Sequence, residues 1–168
     1  MPSLNVARRN ASGQTLGDSL YVFGGIGGST VIERLNLKLN MQRMSDKFEL
    51  IEVKLPSPIS DIGLLPCLSA QELLLVGGFS PEGHSLKQIL KFQARTTAAS
   101  GSQDQVECSI EEMDSEGFRA DFFNTNSMVS VPEGTNTGSE QCILYGAQFK
   151  HTFTGSAFTT SQQMQPLK

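Results

Sequence analysis

The residues best placed to do chemistry are few and scattered. A glycine-rich run, LYVFGGIGGST at 20–30, could cradle a phosphate through backbone N–H groups. The two histidines are His84 and His151, the three cysteines Cys67, Cys108 and Cys142, and the two tyrosines Tyr21 and Tyr145. Acidic residues cluster at Glu111-Glu112 and at Asp114 with Glu116.

Each group falls short of the pattern its chemistry needs. A dinucleotide fingerprint requires G-x-G-x-x-G; Gly25-Ile26-Gly27 begins one, but its last position is Thr30. No Gly-Lys follows, so the P-loop pattern fails too. The cysteines are odd in number and widely spaced, against a disulfide framework or zinc site, and read as buried free thiols. The histidines lie far apart beside turn residues and read as solvated. The acidic cluster reads as a solvated loop, and G-x-S-x-G is absent. No cofactor, metal or catalytic residue is expected.

Charge narrows the partners. The net charge is −4 and the 13 Lys and Arg are dispersed, whereas sequence-independent nucleic-acid binding needs a basic face. The adjacent pair Arg8-Arg9 reads as a solvated surface cluster. No apolar stretch approaches the roughly 20 residues of a membrane helix. The opening MPSLNVARRN lacks the apolar middle of a signal peptide, so a reducing, cytoplasmic setting is expected. The sequon Asn10-Ala11-Ser12 is set aside because it falls in a predicted strand.

The elements that hold these residues are organised by a repeat. DSLYVFGG (18–25) matches QELLLVGGF (71–79): a polar lead-in, an apolar run, then Gly-Gly. The copies are 53 positions apart, from Gly24 to Gly77, and a weaker third, EQCILYGAQF (140–149), reaches Gly146 after a further 69. An extended segment precedes each run (7–17, 60–70, 119–131) and another follows it (29–39, 84–93, 150–158). FELIEVKLP (48–56) and VECSIEEMD (106–114) close the first two units. Four short strands per unit are predicted, in approximate units 1–56, 57–114 and 115–168 of a single domain. The recurrence assigns Gly24-Gly25 to structure, since a phosphate loop has no reason to recur in faded form. An apolar run without alternation is buried on both faces, and glycine suits the sharp turn beside a neighbouring backbone. Gly27-Gly28 has no counterpart in the other units.

Residues 7–92 resemble kelch repeats, whose marks are an apolar strand ending in Gly-Gly, then an aromatic residue, then a tryptophan. The double glycines fall at Gly24-Gly25 and Gly77-Gly78, the aromatic position at Leu35 and Phe92, and the tryptophan position at Phe48. The third unit keeps only ILYGA, with Gly146. The resemblance implies an all-β fold of kelch-type blades, each of four antiparallel strands, in an incomplete β-propeller of about three blades. Closed propellers have typically 4–8 blades, so further blades, a second chain or self-association are expected. It also implies a non-enzymatic scaffold that binds a protein partner through inter-strand loops. On the loop face, Ser29, Ser80, Glu82, His84 and Arg119 are the candidate partner contacts. Two alternatives are a structural component of a cytoskeletal or ciliary assembly, and a fragment of a propeller enzyme whose active site lies on missing blades. A copper oxidase of the kelch kind would need converging histidines and tyrosines, which two of each make improbable.

Overall fold

The computed structural model describes residues 2–27, 30–38, 47–69, 71–97, 105–114, 130–133, 141–145, 149–154 and 157–162. For 66–69, 96, 97, 105 and everything from 130 onward it describes the backbone alone. These residues form three four-stranded antiparallel sheets. The first holds β1 (Ser12–Leu16), β2 (Ser19–Phe23), β3 (Val31–Asn36) and β4 (Glu49–Lys54). The second holds β5 (Gly63–Ser69), β6 (Glu72–Val76), β7 (Ile89–Thr97) and β8 (Gln105–Met113). The third holds β9 (Ser130–Glu133), β10 (Gln141–Tyr145), β11 (Phe149–Thr154) and β12 (Ala157–Gln162). Within each sheet the spatial order is the chain order, the pattern short local connections produce. The sheets lie side by side in the same sense, with β1 beside β5, β5 beside β9, and β4 beside β8.

Register explains which side chains meet. Tyr21 pairs with Arg34 across β2 and β3, and Val22 with Glu33, so Tyr21 and Phe23 share one face and Leu20, Val22 and Glu33 the other. On β6 and β7, Leu73 pairs with Phe92 and Leu75 with Leu90, which puts these four on one face. The two faces close on each other. Phe92 sits edge-on to Tyr21 and to Phe23, with ring centroids 5.1 and 5.0 Å away. Such pairs add about 0.5–1.5 kcal/mol beyond area burial. Ile32, Ile59, Ile62, Leu73, Leu75 and Leu90 complete this core.

The second sheet is buried on its other face as well, where Leu65, Leu74, Val76 and Ile89 are no more than 1% exposed. Unalternated burial therefore holds for β6 but not for β2, whose buried and half-buried residues alternate. The reason lies in what covers the far side of the first sheet. Residues 5–8 lie over that face and close on Glu33, whose side chain is fully buried. Glu33 Oε1 accepts from Arg8 Nη2 at 2.7 Å and from the Val6 N–H at 3.2 Å, and Oε2 accepts from the Asn5 N–H at 2.6 Å. Arg8 Nη1 donates to the carbonyls of Gly24 and Val31. The Arg8 side chain is thus not solvated, as its place in a basic pair suggests, but fully buried; of the pair only Arg9 is exposed.

The strand boundaries also shift. The segment before the first run enters its sheet only at Ser12, and Asn10 precedes β1 with φ of +55° rather than lying within a strand. Of the extended segment predicted over 29–39, β3 holds Val31–Asn36. Of the predicted strand at 119–131 only 130–131 belong to β9; the earlier residues are outside the described set. His151 lies inside β11, opposite Leu144 and Thr160, not beside a turn. Glu111 and Glu112 lie on β8, exposed, rather than in a loop. Cys108 is a half-buried free thiol.

Candidate functional site

The double glycines bring the connecting segments together at one end of the sheets. At Gly24, φ is +60° and a Cβ would stand 2.1 Å from the Ile59 carbonyl oxygen, so the first sheet's turn rests directly on the chain entering the second. Gly25 then donates its N–H to that carbonyl at 2.8 Å. One unit later, a Cβ on Gly78 would stand 2.6 Å from Ile59 Cγ2 and 2.8 Å from the Ser60 carbonyl.

The residue after each pair makes an equivalent two-way backbone bridge. Ile26 pairs with Arg9, and Phe79 with Ser60. The next position along the entering chain, Asn10 or Asp61, takes a left-handed conformation in both units, with φ of +55° and +52°. The two residues are joined: the Asp61 N–H donates to the Asn10 carbonyl at 3.1 Å, and Asn10 Nδ2 to Asp61 Oδ2 at 3.2 Å. Non-glycine residues held there cost about 1–3 kcal/mol each and cluster at binding sites.

Between the two bridges lies a cleft of about 540 Å³, within the range of small-ligand and peptide pockets. Ile26, Pro58, Ile59, Phe79 and Pro81 give it apolar walls; Arg9, Ser60, Asp61 and Ser80 are its polar groups. Ile26 is 43% exposed, one of two large apolar residues so exposed among the described residues.

The loop between β6 and β7 brings three of the candidate contacts together. The Ser80 N–H donates to the His84 carbonyl at 2.9 Å, and the His84 N–H to Ser80 Oγ at 3.3 Å. The Ser80 hydroxyl holds the exposed Glu82 carboxyl below its ordinary range, helped by the residue's own backbone N–H. Ser80 reaches the cleft wall, whereas Glu82 and His84 stand exposed beside it. Ser29, Arg119 and Gly146 lie outside the described residues. Of the repeat-motif positions, Leu35 and Phe92 are buried and Phe48 is half-buried, its carbonyl accepting from Asn5 Nδ2. Arg9, Ile26, Asp61 and Phe79 line the cleft but were not among the sequence-derived contacts. The signal for Ile26 was present: an apolar residue flanked by glycines in a turn.

No group of three or more His, Cys, Asp or Glu side chains could hold a metal ion among the described residues. No helix there is long and apolar enough to cross a membrane. Compared with protein-family models and with curated proteins, the chain matches none.

Proposed function

We propose that the chain is a divergent kelch-type set of three propeller blades that acts as a non-enzymatic scaffold, binding a protein partner on its loop face. The observation that carries this reading is the convergence of three inter-strand links and the segment before β1 on one cleft, walled by Ile26 on one side and Phe79 on the other. Function resides in such a site rather than in the sheets. The equal sense of the three sheets and the chain-order pairing within each also fit blades. Three blades leave a ring open, so the scaffold works with further blades, a second chain or a second copy.

A photo-cross-linking residue at Glu82, beside the cleft, is expected to trap a partner, while one at the exposed Glu107 of β8 traps none. Charge reversal at Glu82 and Arg119 is expected to abolish that capture. Partner capture unchanged by the reversals, or equal from both positions, overturns the reading. Light scattering at low concentration tests the open ring: a stable, monodisperse monomer counts against it.

A further inference from the structure

We infer that the cleft takes an extended segment of a partner protein, seating a carboxylate on Arg9 and an aliphatic side chain between Ile26 and Phe79. This deepens the proposed loop-face binding and rests on it.

The charge of the cleft comes from two side chains. The Asp61 carboxylate is engaged by Asn10 Nδ2. Arg9 is exposed, and its guanidinium has no hydrogen bond or ion pair among the described residues. It differs in this from Arg8, whose guanidinium is closed on Glu33 and two carbonyls. Among the described residues Arg9 is thus the one basic side chain lining the cleft, with its donors open, and a partner carboxylate complements it with the fork geometry guanidinium prefers, on the side away from Asp61.

The apolar half follows from the glycines on either side of Ile26. Ile26 stands between Gly25, at φ of +107°, and Gly27, at φ of +139°. Added Cβ atoms there would meet the Arg9 carbonyl at 2.9 Å and the Ala7 carbonyl at 3.1 Å. Only glycines let the backbone lie so close to residues 7–9, and the result is an isoleucine held outward on a rigid bridge. An apolar residue presented this way faces ligand rather than core.

The backbone restricts how the segment binds. The Ile26 N–H and carbonyl are both used by Arg9, and those of Phe79 by Ser60. At these two residues, therefore, recognition runs through side chains rather than through an added strand. That selects for a charge beside an apolar group rather than for a generic extended chain.

The test uses the whole chain and a fluorescent Gly-Ser peptide carrying one Asp next to one Leu, read by polarisation and by amide shifts at Ile26 and Phe79. Binding is expected at peptide concentrations below about 1 mM, weakening at least tenfold when the peptide Asp becomes Asn and when salt is raised. Arg9→Gln is expected to erase the difference between the Asp and Asn peptides, and Ile26→Ser to weaken both; both residues are exposed, and circular dichroism checks that each variant folds. Equal binding of the Asp and Asn peptides, no binding, or equal shifts from hexanoate alone overturns the inference. If cross-linking from Glu82 persists while the peptide leaves Ile26 unmoved, the cleft inference fails and the scaffold reading stands. If the peptide binds as described but cross-linking fails, the scaffold reading fails instead.

Discussion

β2 and β6 are two copies of one idea, an apolar run ending in Gly-Gly, and they live in different surroundings. In β6 every residue from Leu73 to Val76 is buried, while in β2 Leu20 and Val22 are half-buried between buried neighbours. The difference does not arise in the strands. β6 buries apolar side chains on both of its faces, whereas the far side of β2 meets Glu33, Arg8 and the backbone of residues 5–6. Where the second sheet places Leu90 opposite Leu75, the first places Glu33 opposite Val22. One sheet is sealed by hydrophobic contact and the other by an ionic lock.

The sharpest way to break this comparison is at the glycines. Gly24→Ala and Gly77→Ala demand the same left-handed backbone, but only the first drives a Cβ into a carbonyl, at 2.1 Å against 3.6 Å. Urea titration is expected to show Gly24→Ala losing more than about 4 kcal/mol and Gly77→Ala about 1 kcal/mol. Equal losses would show that the first turn does not rest on the second sheet.

The lock comes next. Glu33→Gln leaves the Arg8 side chain buried without its counter-charge and is expected to cost about 3–5 kcal/mol by urea titration. Burial pushes the Glu33 carboxyl up, but donation from Asn5, Val6 and Arg8 outweighs it and holds the group below its ordinary 4.5. A depressed carboxyl stabilises the fold above its unfolded pKa. The wild-type chain therefore loses this contribution as pH falls below about 4.5, through the lower folded value, and Glu33→Gln flattens that loss.

Truncating matched leucines sharpens the contrast of packing. Leu73→Ala is expected to cost about 2–5 kcal/mol and Leu20→Ala, four residues before its own Gly-Gly, about 1 kcal/mol, measured by thermal unfolding.

The smallest effect lies where the two sheets meet. Burial, then the negative charge of the neighbouring Cys108 sulfur once it ionises, push the Tyr21 hydroxyl up to about 12, against the pull of Arg34 and Ser19. An acid raised in the fold stabilises it fully below the unfolded value of 10.0, and the contribution is lost as pH rises through about 12. Tyrosinate absorbance should show one group titrating near 12 that Tyr21→Phe removes, with a stability change of about 1 kcal/mol at neutral pH.

Much of the scaffold can be read directly from the residues. The recurrence of LYVFGG and LLLVGG locates β2 and β6, and the segments around them locate their partners, because apolar runs and turn residues are local signals. The Arg8–Glu33 pair is not local. Its members are 25 residues apart, and a basic doublet carries no mark of which arginine goes inward. The left-handed Asn10 and Asp61 are likewise set by the approach of two units, since each is held by the other. The lining residues of the cleft come from four separate segments of the chain, so they could not be assembled from composition or spacing.

The ionic lock also fixes an order of events. The carboxylate that receives residues 5–8 lies 25 to 28 positions downstream of them. At about 5–20 residues per second of synthesis, the segment is made roughly one to six seconds before its dock. Glu33 becomes a dock only once β2 and β3 have paired, because their register carries it to the outer face. Residues 5–8 therefore find their place only after two strands that follow them in the chain have paired.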